Sequence, residues 1–165
     1  MDALTFVSDI VVPSVKEALA ERGNRRRVYV ASIVTYSLVD YIAAELGMGK
    51  SHVCDAVRGV CTPAFEVVQG VCNGTKHAGS TRGFLFRPGD DRDVPVFAFD
   101  TPGAGWGQGR WDVPGLSVQR DGAELFLDTA LQVMLLTLCD IYKVQLGNID
   151  LSFLDQIVLD VSKGC

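Results

Sequence analysis

The chain has no surplus of positive charge: 15 Lys plus Arg stand against 20 Asp plus Glu, a net of −5. No global field therefore draws it to phosphate backbones or anionic membranes, and any nucleic-acid contact has to come from a local patch. Close cysteine pairing is also missing. Cys54, Cys61, Cys72, Cys139 and Cys165 are odd in number and contain no CxxC, which speaks against a zinc module and for reduced thiols in a cytoplasm. His52 and His77 lie near these cysteines without paired-ligand spacing, so no metal and no cofactor is expected. Long apolar runs are lacking too: the longest, near Leu131 to Cys139, is far short of the roughly 20 residues that span a bilayer. Residues 3 to 15 lack a basic flank and carry Asp9 and Pro13, unlike a signal peptide. The expected address is cytoplasmic, or inside a phage-related particle, with no membrane contact.

Catalytic signatures are equally sparse. There is no GxSxG, HExxH or Walker motif, and "GDDRD" at 89 to 93 reads as a turn, not a Mg²⁺ site. The glycines of "GAGWGQG" miss the GxGxxG register and have no βαβ unit around them, which excludes a Rossmann reading.

What is present is a globular composition. Hydrophobic residues make up 48% of 165, enough for one core, so residues 1–165 are expected to form a single domain. Leu4, Val7, Val11, Val15, Ala18 and Leu19 recur at helical steps over residues 3 to 22, with Pro13 expected to kink this helix or start its main part. A second helix is expected from about Arg26 to Leu46, its stripe comprising Val30, Ile33, Val34, Ser37, Leu38, Tyr41 and Ile42, with Gly47 and Gly49 as its stop. Ser51 is placed to cap a third, on which Cys54, Val57, Cys61, Ala64, Phe65, Val68 and Cys72 project to one side and Pro63 threatens a break.

From Gly83 the period changes to two. "FLF" at 84 to 86 and "VFAF" at 96 to 99 read as strands around the turn-rich "RPGDDRDVP", and Leu116 to Arg120 as a further strand before a turn at Asp121-Gly122. A long helix is expected from about Ala123 to Gln145, stopped by Gly147-Asn148. The tail is expected to form a short helix starting near Ser152, with Asp155 at capping-box spacing.

Three features are candidates for function. "RGNRRR", residues 22 to 27, gathers four arginines at a helix junction, where Arg25, Arg26 and Arg27 are placed to meet phosphate or acidic side chains. Carboxylates of the same chain suffice as neighbours, so nucleic acid is possible and not favoured. Trp106 and Trp111 in the glycine-rich loop are expected to sit on a protruding hairpin, either covering the sheet or anchoring a protein partner. The third is "VCNGTKH" at 71 to 77, where Asn73 and His77 stand one helical turn apart.

This last motif resembles the Arg-Asn-x-x-x-His helix motif of the HEPN superfamily, here written Cys72-Asn73-Gly74-Thr75-Lys76-His77. The layout from 25 to 146 is also similar to small uncharacterised bacterial and phage-associated proteins with an N-x-x-K-H helix end. The resemblance implies a mainly α HEPN-like bundle of four or five helices, with a β-hairpin or small antiparallel sheet inserted at about 83–120 before the long C-terminal helix. It also implies a metal-independent ribonuclease in which His77 is the base, Asn73 its orienter and Lys76 a substitute cation. Cys72 stands where that chemistry needs arginine. The sequence therefore favours a non-catalytic, self-associating structural or interaction protein over the ribonuclease or toxin.

Overall fold

The computed structural model describes residues 1–76, 91–94, 96–97, 110–111, 115–120 and 123–155. Its first rod has three parts: α1 (Ala3–Phe6), a π-helical turn (Val7–Val11) and α2 (Val12–Ala20). Asp2 caps the start, its carboxylate accepting the Thr5 N–H at 2.7 Å. Pro13 lies in the first turn of α2. It has no N–H to give the carbonyl of Asp9, and the wider π turn just before it absorbs the misfit. Val7, Val11, Val15 and Ala18 are buried as the period requires, but Leu4, expected in the same stripe, is exposed at the tip of the rod.

Helix α3 (Arg25–Leu46) begins where the Asn24 side chain accepts the Arg27 N–H at 3.3 Å. It ends at Gly47, whose φ of 64° lies in the left-handed region that favours glycine. Val28, Ala31, Leu38, Val39 and Ile42 form its buried face; Val30 is turned from that face and exposed, contrary to its place in the expected stripe. By length and composition α3 would suffice to cross a membrane, yet half of its most apolar stretch is buried inside this fold.

Helix α4 (Lys50–Lys76) starts two residues earlier than expected, so Ser51 lies in its first turn instead of capping it. The expected cysteine stripe is buried along its length, from Cys54 to Cys72. The expected break occurs as a kink at Cys61 (φ −132°, ψ 51°), two residues before Pro63.

The helices run alternately up and down. The Ala3 N–H donates to Glu45 Oε2 at 3.2 Å, which brings the start of α1 to the end of α3, while Arg22, just beyond α2, reaches Asp128 at the start of α5 (Leu127–Ile141). Helix α3 packs on the first rod and α4, and α5 closes the square between α4 and α2. This is a mainly α four-helix bundle, with a sheet inserted at one end and the α3–α4 loop at the other.

The insertion contains β1 (Arg92–Val94), β2 (Val96–Phe97), β3 (Arg110–Trp111), β4 (Gly115–Arg120) and β5 (Ala123–Phe126). β1, β4 and β5 form an antiparallel sheet in the order β1-β4-β5, and β2 pairs with β3 in parallel. Two expectations change here. Arg92–Val94, read as part of a turn, is a strand paired with Gly115–Ser117. The sheet runs past residue 120, because Ala123–Phe126 pairs back on Ser117–Arg120 and the helix starts only at Leu127. Cross-strand pairing has overridden the helical preference of Glu124 and Leu125. The strand expected at 84 to 86 and the connection 121–122 lie outside the described residues.

Helix α5 stops at Ile141, Tyr142 (φ −109°, ψ 35°) interrupts the expected long helix, and α6 (Lys143–Leu146) ends at Gly147, φ 67°. Residues 150–155 form a turn at the expected helix start, where Asp150 Oδ1 accepts the Ser152 N–H at 2.9 Å and Leu154 N–H donates to the Leu151 carbonyl; the rest of that expected helix lies outside the described residues. Gly147 lies beside Leu4, the Lys16 ammonium sits over the Phe153 ring, and Asp155 reaches Arg22. Residues 147–155 thus form a strap along the first rod.

Candidate functional site

The arginine run is largely consumed inside the molecule. Arg22 Nη1 donates to Asp128 Oδ2 at 2.6 Å and to Asp155 Oδ2 at 2.7 Å, while Nη2 meets Asp155 Oδ1 at 2.7 Å. Gln132 completes the set: its Nε2 donates to Asp155 Oδ2 at 2.9 Å and its Oε1 accepts the Asp155 backbone N–H at 2.7 Å. Asp128 and Gln132 are fully buried, so the Arg22–Asp128 pair lies away from water, while Asp155 on its outer side stays partly exposed. The bonds from Asp155, opposed by burial and reinforced by Asp128, bind the Arg22 proton more tightly than in a free arginine. Asp155, expected to cap a terminal helix, instead pins the strap.

Arg25 pairs through Nε with Asp91 Oδ2 and more loosely with Asp93, and the Tyr29 hydroxyl donates to Asp91 Oδ1 at 2.7 Å. Burial works to raise the Asp91 carboxyl, yet the bonds from Arg25 and Tyr29 outweigh it and hold the group below its ordinary range. Arg27 lies 3.3 Å from Glu21, and Arg26 is exposed. Of the three arginines nominated as a partner surface, Arg25 anchors the sheet to α3 while staying partly exposed, Arg27 borders its own helix start, and Arg26 is exposed.

The helix-end motif is only partly visible. α4 stays helical through Asn73 and Gly74 to Lys76, and Thr75 Oγ1 donates to the Val71 carbonyl at 2.9 Å. Cys72 is fully buried among the core residues of α4. Asn73 is half-buried, whereas His77 and Trp106 lie outside the described residues. The backbone of Trp111 is in β3, paired with Phe97. The motif ends α4, Arg25 begins α3, and the backbone of Trp111 lies in the two-stranded part of the insertion.

Two further clusters were not anticipated. In the bundle interior, the Gln69 amide donates to the Tyr36 hydroxyl at 2.8 Å, and Cys54 Sγ lies 3.9 Å from the same oxygen. Burial pushes the Tyr36 phenol up to about 12 and also raises the Cys54 thiol, so both are neutral packing groups at physiological pH. Cys139 behaves likewise, pushed up to about 12 by burial. The described thiols, Cys54, Cys61, Cys72 and Cys139, are buried and unpaired, and no cluster suited to a metal exists among the described residues.

The second cluster is a groove of about 350 Å³ between α4 and the β5–α5 junction. Its lining includes Val60, Ala64 and Val67 on one side and Leu125, Ala130 and Val133 on the other. The α4 kink shapes the first wall. Pro63 supplies no N–H to the carbonyl of Gly59, while Cys61 Sγ donates to the Val57 carbonyl and Thr62 Oγ1 to that of Arg58. The sequence signalled the break at Pro63, but gave no sign that β5 would form the opposing wall.

No family model matches the chain, and no curated protein or solved structure matches it.

Proposed function

We propose that this is a non-catalytic interaction protein that self-associates through the end of the bundle remote from the sheet. The observation carrying this reading is the placement of exposed apolar side chains. Of seven exposed large hydrophobic residues among the described residues, five belong to this end: Met1, Leu4, Met48, Ile141 and Val144, the last 91% exposed. They come from four separate parts of the chain, the start of α1, the α3–α4 loop, the end of α5, and α6. Side chains scattered over a surface need no explanation; apolar side chains converging from four elements do.

A second copy is the occupant this end fits best. Acidic Asp2, Glu45 and Asp140 border it together with basic Lys50 and Lys143. A rim carrying both signs can complement itself in an isologous pair, whereas a rim of one sign would repel its copy. The HEPN-like resemblance agrees with a helical bundle that pairs, and self-association is preferred to ribonuclease activity because the position needing a cation is the buried thiol of Cys72.

Light scattering and native mass measurement at micromolar concentration should find a dimer or higher oligomer. Val144→Asp, on a side chain with almost no intramolecular contact to lose, should weaken association roughly tenfold or more while leaving the folded spectrum unchanged. A wild-type monomer under these conditions would remove the proposal.

A further inference from the structure

We infer that the groove between α4 and β5–α5 is a binding site for a small amphipathic amine, its apolar body between the helices and its ammonium at Glu124. The volume is the first argument. At about 350 Å³ the groove falls in the range of small-ligand sites, and it is more than twice the roughly 150 Å³ apolar cavity that accepts a single benzene ring. A medium alkyl chain or a two-ring body fits such a space.

The walls select an apolar body. Val60, Ala64, Val67, Leu125, Ala130 and Val133 offer only hydrocarbon, and Val60 at the lip is 68% exposed. A bound molecule would cover that lip, and each methylene it buries strengthens binding roughly fourfold.

The polar groups select the head. Among the described residues, Glu124 is the only charged one lining the groove. Its Oε1 accepts from Ser117 Oγ at 2.7 Å, which fixes the carboxylate on the β5 side and leaves Oε2 without a partner among the described residues. A single carboxylate at the rim of an otherwise apolar groove selects a cationic donor. A carboxylate or phosphate head would be repelled, and a hydroxyl would gain hydrogen bonding without charge.

This inference does not depend on self-association, since the groove is on the flank of the bundle and toward the sheet, away from the apolar end. n-Octylamine, n-octanol and octanoate, each below its aggregation concentration, are titrated into the protein at pH 7 by calorimetry. Octylamine should bind saturably and at least tenfold more tightly than the other two. Glu124→Gln, at an exposed rim position that leaves the core intact, should abolish the preference for the amine while retaining the weak binding of octanol. Ala64→Leu, which fills the groove, should weaken all three ligands; Val133→Met serves the same end if the first variant does not fold. Absence of saturable octylamine binding, equal binding of the three probes, or an amine preference that survives Glu124→Gln would each overturn the assignment.

Discussion

Thr35 is fully buried on α3, and its hydroxyl has no hydrogen-bond partner among the described residues. Ser32 and Ser37 on the same helix donate to the carbonyls of Val28 and Ile33, each at 2.8 Å, and so escape the cost of burying a polar group alone. Thr35→Val replaces the unmet hydroxyl with a methyl of similar size and should stabilise the protein by about 1 kcal/mol. Urea denaturation with an unchanged slope is the measurement, and a loss of stability would show that the hydroxyl is satisfied in solution. At this scale the sequence was most legible where side-chain chemistry and period agreed. Cys54, Cys61 and Cys72 fell on one helical stripe and are buried there. Asp91 was not legible as the partner of Arg25, because 66 residues separate them and local spacing carries no information about such a pair.

The helices could be read because each carries its own period and its own stops. Gly47 is the plainest case. Its φ of 64° closes α3, and a Cβ built there would meet no atom within 4 Å, so any penalty for a side chain is purely a backbone one. Gly47→Ala should therefore cost roughly 1 kcal/mol, measured as a lower midpoint in urea, with no change in the packing of aromatic side chains. An unchanged or higher midpoint would mean that the α3–α4 loop re-forms without a left-handed residue. Strand β5 could not be read in the same way. "AELF" has the composition of a helix start and joins directly to a helical stripe, and only its pairing with β4 decides its state. The groove shares this difficulty, since one wall is a proline kink visible in the sequence and the other exists only after β5 has paired.

For the molecule as a whole, the Arg22–Asp128–Asp155–Gln132 set joins the end of the first rod, the start of α5 and the C-terminal strap. A buried ionic set of this kind adds little net stability over a well-packed apolar one, yet removing one member strands the others in a poor solvent. Arg22→Ala should therefore destabilise by about 3 kcal/mol, the usual lower bound for breaking a buried pair. Asp155→Asn, at a carboxylate 33% exposed, should cost less, because water can reach its site. The two variants compared by thermal and urea unfolding give the check: equal, small losses would show that the network is solvated and contributes no closure. The sequence held all four residues, but assigned Asp155 to a local cap and Arg22 to a surface patch, since the contact that unites them exists only in the assembled fold.

The strap also sets an order of events during synthesis. Arg22 and Asp155 are 133 positions apart, so the first rod leaves the ribosome long before its ionic partner has been translated. With translation at roughly 5–20 residues per second, the nascent rod waits several seconds with a guanidinium that its own neighbourhood cannot satisfy. Closure of the bundle is thus a late, long-range step, and a chain stalled before residue 155 presents to chaperones an unlatched bundle.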